Sequence, residues 1–168
     1  MAIVGKIIKQ AIHLSDAIST EADPVKEQNQ VLRKLLEKAK HTAFGKRYDF
    51  QKMLAQESLV QVFQQEVPIF DYDQLYAEWW DYLLDGHQNV TWPGGQPYFA
   101  ISSGTTSNSK YIPITEDMLE AIRRAGIQQI TSLKNFDLPP AFFEKQILML
   151  GSSTNLIQKD DHLEGEIS

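Results

Sequence analysis

The 168-residue sequence contains no cysteine. That excludes a disulfide framework, a thiolate metal site and a cysteine nucleophile within this stretch, and it permits a cytoplasmic home without requiring one. Excess positive charge is missing too: 22 acidic side chains outnumber 16 basic ones, for a formal net charge of -6. A surface that neutralises a nucleic-acid backbone needs clustered Lys and Arg, so nucleic acid is not an expected partner. Long apolar runs are absent. The most apolar opening stretch, from Ile3 to Ile18, is interrupted by Lys6, Lys9, Gln10 and His13, which breaks the continuous apolar segment of a signal peptide and leaves no membrane span. No internal repeat or low-complexity tract occurs. Seven prolines, with 42% hydrophobic and 23% charged residues, place the chain among globular proteins of about one domain.

What is present begins with helical periodicity. Ile3, Val4, Ile7, Ile8, Ala11, Ile12, Ser15 and Ile18 form a stripe broken only by the serine, which predicts a helix packed on the protein body. Its two lysines are too few for a membrane-surface helix. Asp23-Pro24 combines an N-cap acceptor with a proline at the first helical position. It predicts a helix running toward Gly45 with Val25, Gln28, Leu32, Leu35, Leu36, Ala39 and Ala43 on its buried face.

Shorter helices are predicted over 50–55 and 58–65, the latter ending before Pro68. Asp71 with Gln74 reads as a capping box opening a further helix. Leu75, Tyr76, Trp79, Trp80, Leu83 and Leu84 give it an aromatic face that we read as core packing rather than ligand stacking, and Gly86 stands where a left-handed C-terminal cap belongs. Residues 1–88 are therefore expected to be mainly helical.

The texture changes after Asn89. Pro93-Gly94-Gly95 is turn chemistry, 97–101 is an apolar run of strand length, and 111–114 a second short strand in which Pro113 indicates an edge or an end. Thr115, Glu116 and Asp117 open a helix expected to reach Asn135. Residues 146–150 read as a buried strand leading into a second small-residue turn, 151–155.

Between the first two strands lies Ser102-Ser103-Gly104-Thr105-Thr106-Ser107-Asn108-Ser109-Lys110. Dense hydroxyls and backbone N–H groups, a glycine allowing close backbone approach and one lysine would suit a polyphosphate. The same residues dominate ordinary turns for purely conformational reasons, so composition alone favours an ordinary surface turn over a phosphate cradle. A Walker A loop needs Gly before the lysine and Ser or Thr after it, whereas Ser109 and Tyr111 stand there, and G-x-G-x-x-G never occurs.

The run from Phe99 through Ser102, Ser103, Gly104, Thr105 and Thr106, ending in Lys110-Tyr111-Ile112-Pro113-Ile114-Thr115, resembles the first ATP-binding motif of acyl-adenylate-forming enzymes. That superfamily includes firefly luciferase and the acyl-CoA synthetases. More narrowly, the doubled serine and the Lys-x-Ile-Pro ending resemble the auxin-responsive Gretchen Hagen family of acyl acid amidosynthetases. Gln30-Val31-Leu32 to Thr42-Ala43-Phe44-Gly45-Lys46, Val67 to Tyr72, and Leu148 to Ser153 fit the same family in the same order. Ser107 and Ser109 depart from the superfamily, which usually has Gly and Pro there.

The resemblance implies an α/β fold, the N-terminal part of a luciferase-like adenylate-forming domain with helices flanking sheet strands. It implies that 1–168 is an incomplete portion of one large domain, with 89–168 forming strand, loop, helix and strand and the phosphate loop at 102–110. The adenine and magnesium motifs, most of the acyl pocket and a mobile C-terminal domain would lie beyond Ser168, so the segment would not catalyse alone. Cofactors would be ATP and Mg2+, and partners a small carboxylic acid, an amino acid acceptor and the rest of the same polypeptide.

By position, Ser102, Ser103, Thr105 and Thr106 would bond phosphate oxygens, Gly104 would keep the backbone close, and Lys110 would offset charge. No general base is nominated, because His13, His41, His87 and His162 lack metal-ligand spacing. The acidic pairs Asp16/Glu21, Asp81/Asp85 and Asp160/Asp161 read as solvated surface rather than magnesium ligands. Gly151-Ser152-Ser153-Thr154 is a second candidate loop facing the adenylate. Two alternatives stand beside amide formation: acyl transfer to coenzyme A or another thiol, and a non-catalytic interaction domain whose serine-rich run is only a turn.

Overall fold

The computed structural model describes residues 3–16, 23–102, 109–146, 155–159 and 161–167. The chain is a helix-rich α/β protein with one small mixed sheet. It divides into two compact units, Met1–Ala22 with Glu116–Gly151, and Asp23–Thr115 with Ser152–Ser168.

In the first unit, helix α1 (Ile3–Asp16) packs on a short 3-10 helix, Pro140–Glu144. The Gly5 N–H, one of the free donors of the first helical turn, donates to Glu144 Oε1 at 2.9 Å. Lys9 Nζ donates to the Leu138 carbonyl at 2.7 Å and to Asp137 Oδ1 at 3.1 Å. Ile12 is buried, whereas Ile3, Val4 and Ile7 are exposed, so the packed side is rotated from the one the apolar stripe indicates. The reason is local: a small Gly5 and a tethered Lys9 define the contact. A long helix, Glu116–Ser132, begins as expected and passes into a 3-10 turn over Leu133–Asn135.

The second unit has a helical layer. Helix α2 (Pro24–Ala39) starts as expected, with Asp23 Oδ1 accepting from the Val25 and Lys26 amides. It does not run on toward Gly45. Thr42 stops it: its buried hydroxyl donates to the Ala39 carbonyl at 2.7 Å and accepts from the Gly45 amide at 3.0 Å, capping a new helix α3 (Ala43–Arg47). Leu36 and Ala39 are buried, but Val25, Gln28, Leu35 and Ala43 are exposed, correcting the broader buried face.

Helices α4 (Phe50–Leu54) and α5 (Leu59–Glu66) follow as the sequence indicates. Leu36, Ala39, Phe50, Met53 and Leu59 form the core of this layer. Gly45 is required by close packing, since a Cβ there would lie 2.1 Å from the Ala39 carbonyl oxygen.

Asp71 opens the next helical run with the capping box intact: Asp71 Oδ1 accepts from the Gln74 amide and Gln74 Oε1 from the Asp71 amide. The run is not uniform. α6 (Tyr72–Leu75) passes into a π-helical turn, Tyr76–Trp80, before α7 (Asp81–Leu84), and Gly86 ends it at φ +80°. Trp79 and Trp80 pack against Leu83, Val90 and Phe99, the second core cluster, as the core reading expects.

Phe44 joins the two clusters. Its amide donates to the Val90 carbonyl at 2.9 Å and its ring lies edge-on to Trp79 at 5.0 Å.

Strands β1 (Tyr98–Ser102) and β2 (Lys110–Ile114) agree with the expected runs, and Pro113 sits on an edge strand, where its missing N–H costs no ladder bond. The sequence reading finds no strand after 146–150, yet β3 (Ile157–Gln158) and β4 (Leu163–Ile167), beyond α8 (Glu116–Ser132), complete a sheet of order β2-β1-β4-β3. β4 pairs with β1 in parallel, Tyr98 opposite Leu163 and Ser102 opposite Ile167. The strand expected over 146–150 falls, from 147 on, outside the described residues, as do 151–154 of the second candidate loop.

Candidate functional site

The middle strand β1 is paired on both edges, and Phe99 and Ala100 within it are buried. It ends at Ser102, which faces Lys110 across the antiparallel pair, the last register position of β1 and β2. The structure brings Ser102 and Lys110 together. Ser103, Gly104, Thr105 and Thr106 lie outside the described residues.

Lys110 is exposed, and its Nζ sits 4.8 Å from the centroid of the Tyr72 ring. An ammonium over an aromatic face is attracted by the ring quadrupole. The same tyrosine reaches the next residue: the Tyr111 amide donates to the Tyr72 hydroxyl at 2.8 Å, and that hydroxyl donates to the Tyr111 carbonyl at 3.4 Å. Edge strand β2 is thus pinned to the start of α6.

Tyr72 is held in its turn. Tyr76 stacks on it at 5.8 Å with 28° between the planes, and Trp80 meets it edge-on at 6.0 Å. Burial raises the Tyr72 phenol above its ordinary value, against the lowering effect of the Tyr111 backbone bond. Burial pushes Tyr76 up to about 12, and the hydrogen bond its hydroxyl donates to Asp81 adds to the rise. Both phenols stay protonated at neutral pH. Residue-type reasoning missed Tyr72, whose ring lies far along the chain; the capping box beside it was the available signal.

The remaining candidates stay apart from this site or from ligand chemistry. His13, His41 and His87 are exposed. His162 pairs with the buried Glu164 at 3.0 Å and packs its ring on Phe99 at 4.9 Å, with Lys159 Nζ 3.8 Å from Glu164. This is a satisfied buried carboxylate at the far end of β1 from Ser102. Asp81 and Asp85 are exposed, and among the described residues no group of three His, Cys, Asp or Glu could hold a metal ion. Nor, among them, is any helix long and apolar enough to cross a membrane.

Residues 14–164 match the family model described as the GH3 family N-terminal domain. The chain belongs to the GH3 family. GH3 proteins are the auxin-responsive acyl acid amido synthetases of the adenylate-forming superfamily. Neither the curated proteins nor the solved structures give a significant match.

The Ser102 hydroxyl and the Lys110 ammonium are donors of a kind that phosphate oxygens accept from, so the chemistry of these two described residues is compatible with a triphosphate. For magnesium, the described residues supply no carboxylate cage. A metal carried by phosphate oxygens is compatible with that donor set.

Proposed function

We propose that this GH3 domain holds the phosphates of ATP while a carboxylic acid is activated as its acyl-adenylate, the acyl group then passing to the amine of an amino acid. The observation that carries the reading is the GH3 match over 14–164, which includes the whole of 102–110. The geometry supports it by setting Ser102 and Lys110 opposite one another where the loop meets the sheet.

Two anions must be brought together, and charge then accumulates on the α-phosphate and on the departing pyrophosphate. Mg2+, when bound, would supply charge neutralisation. The chain's own residues do the rest of the phosphate work. Ser102, Ser103, Thr105 and Thr106 donate to phosphate oxygens, Gly104 lets the backbone approach, and Lys110 offsets negative charge. In this reading residues 1–168 form the phosphate-holding part of a larger adenylating domain in the cytoplasm.

The test is pyrophosphate exchange on the full-length protein with a panel of carboxylic acids, followed by a choice between amine and thiol acceptors. Exchange that needs both acid and magnesium, with product formed on an amino acid, is expected. Product on coenzyme A instead would leave adenylation standing and overturn the acceptor. Absence of magnesium-dependent ATP binding would overturn the reading and leave an interaction domain.

A further inference from the structure

Tyr72 stands well before the loop in sequence, yet it engages two consecutive residues at the loop's return, Lys110 through its ring and Tyr111 through its hydroxyl. The ring is itself immobilised on three sides. The Asp71/Gln74 capping box fixes the backbone at its base, Tyr76 stacks on one face, and Trp80 closes an edge. The π-helical turn over Tyr76–Trp80 carries both of those aromatic neighbours. Such a turn spends helix regularity, and single π turns recur at functional sites.

A lysine on an exposed strand end samples many rotamers, and each binding event must freeze them. Tyr72 removes part of that cost beforehand. Its hydroxyl, both accepting from and donating to Tyr111, fixes the main chain from which the lysine projects, and its ring gives the ammonium a resting place at the loop mouth.

We propose that Tyr72 is a positioning residue for Lys110, acting on the nucleotide only through that lysine. The inference rests on the reading of 102–110 as a phosphate loop, and it extends that reading to a side chain in the helical layer.

The experiment is a double-mutant cycle on the full-length protein, read by the KM for ATP and kcat of pyrophosphate exchange, with Tyr72→Leu, Tyr72→Phe, Lys110→Ala and the double variant Tyr72→Leu/Lys110→Ala. Tyr72→Leu is expected to raise the KM for ATP about three- to tenfold, the scale of a lost cation–π contact together with a loosened strand, with a smaller change in kcat. Tyr72→Phe keeps the ring and should cost about twofold, less than the leucine, on the same scale. In the Lys110→Ala background the leucine substitution should add almost nothing. An equal penalty in both backgrounds, or a KM that falls when the ring is removed, would overturn the proposal. Thermal unfolding of each variant separates loss of fold, which a purely structural tyrosine would show in both backgrounds alike.

A second measurement distinguishes this idea from the phosphate reading beneath it. The Lys110 ε-methylene protons should show an upfield ring-current shift in the NMR spectrum that disappears in Tyr72→Leu. If that shift is present while Lys110→Ala exchanges pyrophosphate normally, the phosphate reading fails although the contact is real. If the shift is absent, the positioning proposal itself is overturned.

Discussion

Ser102 and Lys110 are directly opposite each other at the last register position of β1 and β2. Under the proposed function, an anion bound here would meet a hydroxyl from the central strand and an ammonium from the edge strand. The central strand is the rigid partner, because it is paired on both sides.

Lys110→Ala should therefore reduce the rate of adenylation about a hundredfold, the usual scale for removing one electrostatic stabiliser. The fold should be indifferent to it, since the side chain is exposed and not part of either core cluster. Pyrophosphate exchange and a thermal melt, measured together, check both halves.

The turn at Thr42 offers a prediction about stability alone. Replacing the hydroxyl by a methyl in Thr42→Val leaves the buried Gly45 amide without its acceptor and the Ala39 carbonyl without one of its donors. A loss of about 1–3 kcal/mol is expected. Denaturant unfolding of the variant measures it, with the KM for ATP as the quantity that should not move.

Gly45→Ala tests the same turn from the other side. The added carbon would meet backbone, 2.1 Å from the Ala39 oxygen, and backbone has no rotamer to yield. We expect a loss of about 1–3 kcal/mol from overpacking. Combined with Thr42→Val it should cost less than the sum, because each change breaks the same closure; unfolding of the double variant gives the coupling.

Tyr76 sets a pH dependence at the alkaline end. Its phenol keeps its proton up to about 12 in the folded protein, against an ordinary value of 10.0. Below pH 10 both states hold the proton and the contribution to stability is complete. Between 10 and about 12 the unfolded chain releases a proton that the folded one retains, so this contribution is lost as pH rises. Tyr76→Phe should flatten that part of the stability curve relative to wild type, as measured by denaturant midpoints at stepped pH.

Much of this was legible in the residues. Asp23-Pro24, the Asp71/Gln74 box and Gly86 are local signals that act within a turn or two, and each marks a real boundary. β1 and β2 were visible as short apolar runs about the small-residue stretch. The helix break at Thr42 was hidden because Ala39, Ala43 and Leu36 keep an apolar period that continues through it, while the hydroxyl that stops the helix reads as an unremarkable polar position.

β4 was hidden for a different reason. Leu163–Ile167 alternates glutamates with other residues and includes a glycine, and it is a strand because it pairs along its whole length with β1, distant in sequence. The link from Tyr72 to Lys110 is likewise a product of tertiary structure, and no spacing rule relates the two positions. The capping box places Tyr72 on a helix start, but the strand it holds is decided by the sheet.

The parallel pairing of β1 with β4 also sets an order of events as the chain leaves the ribosome. α2 to α7 and the β1–β2 pair emerge before β4 and hold all five buried residues of the first core cluster, so the helical layer has what it needs to consolidate early. β1 must then wait with one edge bare until Leu163–Ile167 arrives. A ribosome stalled before Leu163 would present an unpaired edge beside Phe99, the condition under which nascent chains recruit chaperones or pair with one another.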